Sequence, residues 1–326
     1  MRAITYTEYG SPDVLLLTEV AKPAPKDDEV LIRIRAASLN PLDWHYMRGT
    51  PYLIRVQAGL RRPKATRLGV DVSGQVEAVG KNVVRFHAGD EVFGDCKGAF
   101  AEYACASQDR LVLKPANLTF EQAAAVPIAA LTALQGLRDK GKIQSGHKVL
   151  INGASGGVGM FAVQIAKLFG ADVTGVCSTR NVDMVRSLGA NRVVDYTSED
   201  FTKTSQRYDL IFDTVGNHSL SDTRQALTAK GTLVMVGGPD EGGWLGPLMG
   251  VLNVVVLSWF ASQKLRPFLA HLSQEDLLVL QEFLEAGKIT PVIDRSYTLS
   301  DVPEAIRYLE EGHAQGKVVI TVAQNN

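Results

Sequence analysis

The spacing of apolar and polar positions changes rhythm twice along the chain. Residues 30–36 (VLIRIRA) alternate apolar with charged side chains, the period-two signature of a half-buried strand. Residues 71–79 and 91–93 follow, separated by Gly80 and Gly89-Asp90, and residues 103–106 and 110–114 complete the set. Short strands at this spacing predict a small barrel or sandwich. Near Leu118 the period switches. Thr119 starts a helix as N-cap with Gln122 as its capping-box partner, and a second helical stretch covers 129–140. From Lys148 strands alternate with helices. Strands are predicted at 148–152, 172–177, 192–195, 209–213, 232–236 and 253–257, and helices at 157–169, 182–188 and 219–227. Such alternation implies a parallel sheet covered on both faces, with right-handed crossovers. After Gln263 come two amphipathic helices, the second at 274–286, then a strand at 292–299, a helix at 302–311 and a strand at 317–322. The architecture is α/β. A β-rich domain is built from both chain ends, 1–120 with 288–326, and a doubly wound parallel sheet at 121–287 is inserted into it.

The length of 326 residues suits two domains. With 45% hydrophobic residues and 34 basic against 35 acidic side chains, the chain has ample core and no global field. That disfavours nucleic acid or an anionic membrane as partner. Cys96, Cys105 and Cys177 make neither a disulfide framework nor a C-x-x-C zinc site. The first residues resemble neither a signal peptide nor a transit peptide, so the expected address is the cytoplasm. The uncharged run 245–262 approaches transmembrane length. Gly246, Pro247, Gly250 and Asn253 interrupt it, and the β-branched run 253–260 reads as a buried or interface strand.

The stretch 149–159, VLINGASGGVG, leads an apolar strand through a glycine-rich turn into an amphipathic helix. Gly156 and Gly159 take the second and third places of a G-x-G-x-x-G fingerprint, and Ala154 stands at the first. Gly156 admits a pyrophosphate to the backbone, and Gly159 lets the helix pack against the strand. Ser155, Gly156, Gly157 and Val158 then lie where the phosphates meet the helix N-terminus. An acid about 20 residues beyond such a turn binds the ribose 2′-hydroxyl of NAD. Here that place holds Ser178, Thr179 and Arg180, with no carboxylate on the segment before Asp183. Two hydroxyls and a guanidinium suit a 2′-phosphate, so NADPH is the predicted cofactor.

With these residues placed, the chain resembles the medium-chain dehydrogenase/reductase superfamily, and within it the zinc-free quinone oxidoreductase branch with its ζ-crystallin-like and reticulon-interacting-protein-like members. SLNPLDWHYMRG (38–49), LGVDVSGQVEAVG (68–80), GDEVFG (89–94), GAFAEY (98–103), AAVPIAALTAL (124–134), NGASGGVG (152–159), DTVG (213–216) and GKVVI (316–320) carry the likeness over essentially the whole chain. It implies a Rossmann domain inserted into a GroES-like catalytic domain, and a homodimer through the last Rossmann strand, here 253–257. Zinc enzymes of the superfamily need a cysteine where Asn40 stands and a G-H-E motif where Gly69-Val70-Asp71 stands. The likeness therefore implies no metal and hydride transfer to an already electrophilic small-molecule acceptor.

The resemblance also implies site residues. Thr132 and Asn40 match positions beside the nicotinamide, Tyr196 one near the adenosine phosphate, Gly237 and Gly238 the nicotinamide ribose, and Lys317 a contact from the other domain. A proton donor is expected among His45, Tyr46 and Tyr52, with solvent as the alternative. Residues 48–67 hold Arg48, Arg55, Arg61, Arg62, Lys64 and Arg67 and no acid, which reads as a solvated loop or as a lid for an anionic substrate. Four functions follow: reduction of a quinone or enone, of an enoyl thioester, zinc-free alcohol/carbonyl dehydrogenation, or non-catalytic NADPH binding.

Overall fold

The computed structural model of the protein describes residues 1–236 and 262–323. They form two compact units, Met1–Leu131 with Leu272–Asn326, and Thr132–His271. In the first, β1 (Arg2–Thr5) and β2 (Leu16–Glu19) pair antiparallel. β3 (Glu29–Ser38), β4 (Asp71–Val79), β5 (Glu91–Asp95), β6 (Tyr103–Ser107) and β7 (Leu111–Leu113) belong to a seven-stranded sheet. The other unit holds β8 (Lys148–Asn152), β9 (Asp172–Cys177), β10 (Arg192–Asp195), β11 (Tyr208–Asp213), β12 (Leu227–Val236) and β13 (Lys264–Phe268). The chain then returns to the first sheet with β14 (Ile293–Thr298) and β15 (Lys317–Thr321).

β3 organises the first unit. One edge pairs along its length with β4; on the other edge its first half pairs with β6 and its last residues with β15. Val30, Ile32 and Ile34 are buried, as the alternation predicts, and pack with Val72, Val318 and Ile320. The alternation ends at Ala36-Ala37-Ser38, all buried, where the helix Phe120–Ala124 covers the strand. Thr119 caps that helix through the predicted box, both bonds present. The helix Gln274–Glu285 packs on β7. These two helices therefore belong with the β-rich unit, and the divisions fall at 131/132 and 271/272, inside the expected 120/121 and 287/288.

The second unit is a parallel sheet in the order β10-β9-β8-β11-β12-β13. Numbered within the unit this is 3-2-1-4-5-6, the dinucleotide-binding order, whose switch point lies between β8 and β11. One prediction fails. The segment after Gln263, where the pattern predicts a helix, is β13. Its buried Leu265 and Phe268 are three apart, a spacing that helices share, but Pro267 between them lacks the N–H a helix interior needs. A sheet edge tolerates it. The expected strand 253–257, Gly237 and Gly238 lie outside the described residues. Gln135, fully buried, ties the two ends of this unit together: Nε2 donates to the His271 carbonyl at 2.9 Å and Oε1 accepts its N–H at 3.1 Å. Among the described residues no helix is long and apolar enough to cross a membrane.

Candidate functional site

The turn after β8 is shaped by what a Cβ would meet. Gly153 has φ +82°, and a Cβ there would stand 2.4 Å from Thr214 Oγ1. At Gly159 a Cβ would stand 2.0 Å from the Gly153 carbonyl oxygen and 2.8 Å from Ala154 Cα, so only glycine lets the helix Gly157–Leu168 seat against the turn. At Gly156 the same Cβ finds one atom, the Gly153 oxygen at 3.5 Å. The backbone is open there, and the first N–H groups of the helix have no intrahelical partner. This cradle fits a pyrophosphate. It is braced by Asn152, Asp213 and Thr214, which fall within the quoted motifs, and by Asn217 just beyond them. Asn152 Nδ2 donates to Asp213 Oδ1 (2.9 Å) and Asn217 Oδ1 (3.0 Å), while Thr214 Oγ1 donates to the Asn152 carbonyl (2.8 Å). Asp213 Oδ1 also accepts the N–H groups of Val215 and Gly216 at 3.0 Å each. The knot fastens β8 to β11 at the switch point.

At the end of β9 the expected 2′-phosphate residues separate into two groups. Asn181, only 4% exposed, donates through Nδ2 to Ser155 Oγ (3.1 Å) and Ser178 Oγ (3.2 Å). The turn serine and the strand-end serine thus share one amide. Thr179 Oγ1 lies 3.0 Å from Thr197 Oγ1, which donates to Asp195 at 2.8 Å. Hydrogen bonds from Thr179 and Thr197 hold the Asp195 carboxyl below its usual range. Arg180 and Tyr196 are exposed, and the Tyr196 N–H bonds the Cys177 carbonyl at 3.0 Å. Nothing in the local sequence marks Asn181 or Asp195 as part of the site. Asp195 is reachable only through register, because it pairs with Cys177 across two strands.

The β-rich unit holds a buried charged cluster. Lys317, 3% exposed, donates to the Leu39 carbonyl (2.8 Å), Asn40 Oδ1 (2.7 Å) and Asp71 Oδ2 (3.4 Å). Asn40 Nδ2 and Ser38 Oγ donate to the same Asp71 oxygen at 2.9 and 2.8 Å, and the Ile128 N–H reaches Oδ1 at 3.0 Å. All three ammonium donors of Lys317 are engaged inside this unit, so what the structure displays for it is a hold on Asn40, not a free cation for a phosphate. Asp43 accepts the Asn40 and Gly69 N–H groups (2.8 and 3.2 Å), yet burial pushes its carboxyl up to about 7. Asp95, the register partner of Asp71, is pushed up to about 6 by burial against the pull of Arg110. Burial likewise lowers Lys317. Among the described residues no three His, Cys, Asp or Glu side chains cluster to hold a metal.

The three proton-donor candidates stand in different surroundings. His45 Nδ1 donates to the Thr50 carbonyl at 2.8 Å, which leaves Nε2 an acceptor in the neutral ring. His45 can therefore deliver a proton only from its imidazolium form. Tyr46 packs against the unit's core, and exposed Tyr52 lies 4.8 Å under the Arg55 guanidinium. Two arginines of the basic segment are engaged with protein groups. Arg48 binds Glu310 through both carboxylate oxygens, and Arg55 donates to the Gly49 and Arg48 carbonyls at 2.9 and 3.3 Å. Arg61, Arg62 and Lys64 stand exposed. Thr132 is buried on the helix Pro127–Gln135.

Residues 26–116 match the family model described as alcohol dehydrogenase GroES-like domain, and residues 188–320 the one described as zinc-binding dehydrogenase. The chain is 38% identical over 335 residues to the 2-methylene-furan-3-one reductase of Solanum lycopersicum, covering 98% of this chain and 79% of that protein. To the chloroplastic NADPH-dependent alkenal/one oxidoreductase of Arabidopsis thaliana it is 34% identical, with the same two coverages, 98% and 79%. The solved quinone oxidoreductase of Coxiella burnetii superposes with a TM-score of 0.86 at 32% identity, covering 99% of each chain. Each of these matches covers 98% or more of this chain. The chain belongs to the medium-chain dehydrogenase/reductase superfamily, in its quinone oxidoreductase branch.

Proposed function

We propose that this chain reduces a small electrophilic acceptor, a quinone or α,β-unsaturated carbonyl, with NADPH and without zinc. The observation that carries the reading is the open backbone at Gly156, with Ser155 in the same turn tied through Asn181 to Ser178 at the end of β9, where Arg180 stands exposed. When bound, NADPH supplies the hydride. The protein's part is to hold and orient. Gly156, Gly157 and Val158 present N–H groups to the pyrophosphate. Ser178, Thr179 and Arg180 take the 2′-phosphate, with Tyr196 beside the adenosine. Thr132 and Asn40 orient the nicotinamide end, Asn40 fixed by Lys317 and Asp71. His45, as imidazolium, is the proton source for the reduced acceptor, with Tyr46 and Tyr52 as the alternative donors. Independence from zinc rests on donor chemistry. The Lys317 ammonium lies 2.7 Å from Asn40 Oδ1 and 3.4 Å from Asp71. A dication at this pair would face a fixed positive charge.

The test is an activity screen with 1,4-quinones, alkenals and enoyl-CoA, each with NADPH and NADH. Fast turnover of quinone or alkenal with NADPH supports the reading; turnover with NADH alone, or of saturated alcohols only, overturns it. Stoichiometric zinc in tag-free protein, lost together with activity on chelation, would refute the metal-free part. Enoyl-thioester reduction is the second reading, favoured by exposed Arg61, Arg62 and Lys64. A homodimer through 253–257 rests on that apolar β-branched run and is tested by sedimentation. The three free cysteines suit a reducing compartment such as the cytoplasm, which fractionation tests.

A further inference from the structure

Asn181 presents an imbalance. It lies 4% exposed between the 3-10 turn Thr179–Asn181 and the helix Val182–Ser187. Both hydrogens of its Nδ2 have acceptors, Ser155 Oγ at 3.1 Å and Ser178 Oγ at 3.2 Å, while its Oδ1 is buried without a partner. Buried polar atoms are nearly always paired, so an orphan asks for a reason. Turning the amide over would satisfy the oxygen but bury two unpaired N–H donors. The orientation with the donors toward the serines is the better one.

Its consequence falls on the serine hydroxyls. A hydroxyl carries one proton and two lone pairs. At Ser155 and Ser178 one lone pair is occupied by an Asn181 N–H, so each hydroxyl proton points elsewhere. Among the described residues neither hydroxyl donates to a protein group. Two hydroxyls, one from the glycine-rich turn and one from the end of β9, are thus set as donors by a single buried amide. Two preset donors match an anion, and phosphate oxygens are the strongest acceptors such a pair can meet.

We propose that Asn181 is the positioning residue of the 2′-phosphate subsite: its amide commits the Ser155 and Ser178 hydroxyls as donors and so contributes the preference for NADPH over NADH. The proposal rests on the NADPH reading above and adds a residue that touches no cofactor itself. Arg180 supplies charge, and Asn181 supplies the direction of the neutral donors. An aspartate in its place has the same shape but only accepts. It would draw both hydroxyl protons inward and add a negative charge behind them.

Cofactor dissociation constants for NADPH and NADH, by titration of intact protein without acceptor substrate, test this. Asn181→Ala should weaken NADPH about tenfold, the loss of one charge-assisted hydrogen bond, and NADH less than threefold. Asn181→Asp should weaken NADPH on the order of a hundredfold and NADH far less. In a Ser155→Ala/Ser178→Ala background, Asn181→Ala should leave the NADPH-to-NADH ratio unchanged, because the residue acts only through those hydroxyls. A structural role would weaken both cofactors alike and lower the melting temperature. Parallel weakening, or an unchanged ratio in a wild type that prefers NADPH, overturns the proposal and leaves the NADPH reading intact. Equal affinities in the wild type overturn that reading and the proposal with it. Should the Asn181 variants fail to fold, Ser178→Ala alone must lower the ratio, and no change there overturns the proposal equally.

Discussion

In the unit Thr132–His271 the polar groups of the site come from short stretches at strand ends, 152–159, 178–181, 195–197 and 213–217. In the other unit they come from β4, β15 and the helix Pro41–Arg48 with its cap, and Asp71 and Lys317 are 246 residues apart. The first site sets backbone N–H groups and hydroxyls around glycines, braced by hydrogen bonds to Asp213 and Asp195. The second is made of buried charges that satisfy one another. The difference teaches where each is vulnerable. The backbone cradle has no room for added volume at Gly153 or Gly159. A charged cluster tolerates changes of shape but no unpaired member.

The sharpest way to break the cradle is Gly159→Val. Its Cβ would lie 2.0 Å from a backbone oxygen, so the turn must move. Loss of cofactor binding and destabilisation by roughly 4 kcal/mol or more are expected in urea unfolding. The corresponding change in the cluster is Lys317→Met, which leaves Asp71 buried without its cation. The expected cost is about 3–5 kcal/mol, and Lys317→Met/Asp71→Asn should recover part of it. A double variant no more stable than the single one would show that charge pairing is not what the cluster provides.

The cluster also carries a pH signature from buried carboxyls. Asp43 in the folded chain keeps its proton up to about 7, whereas an unfolded aspartate loses it near 4. Between those values the folded state binds the extra proton. Stability therefore falls as pH rises through that window, on the order of 2–4 kcal/mol for this group. Asp95, pushed up to about 6, acts in the same direction. Asp43→Asn should flatten the slope of unfolding free energy against pH; an unchanged slope would move its origin elsewhere. At the cradle's rim, Arg180→Ala should cost NADPH about 1.5–3 kcal/mol, a 10- to 100-fold rise in Kd, and spare NADH. The smallest effect belongs to the exposed basic segment. Replacing Arg61, Arg62 and Lys64 by alanine should lower kcat/KM for an enoyl-CoA severalfold at low salt and leave a neutral quinone unchanged, with NADPH saturating. Equal responses would reduce the segment to a solvated surface.

The same contrast decides what was legible in the sequence. Strands β8, β9 and β10, the capping box at Thr119 and the glycine turn are local, and pattern alone places them. The serines and Arg180 were legible because motif spacing counts along the chain. Asn181 was not, since its meaning lies in reaching back to Ser155, 26 residues earlier. Asp195 was hidden behind a strand register. The Lys317 donors could not be assigned before β15 was known to lie against β3. β13 was misread because its two buried positions have a spacing that both element types allow.

The pairing of β15 with β3 sets an order on synthesis. The unit Thr132–His271 is one continuous segment, complete as soon as His271 has left the ribosome. The β-rich unit is begun first and finished last. Asp71 emerges 246 residues before the lysine that neutralises it, an interval of roughly 10–50 s at ~5–20 residues per second. Through that interval the edge of β3 that will receive Val319–Thr321 has no strand beside it, and the acid beneath has no cation. The nascent chain thus carries a finished nucleotide-type module and an unfinished β-rich sheet, and its exposure to chaperones and to misassembly is concentrated in that sheet.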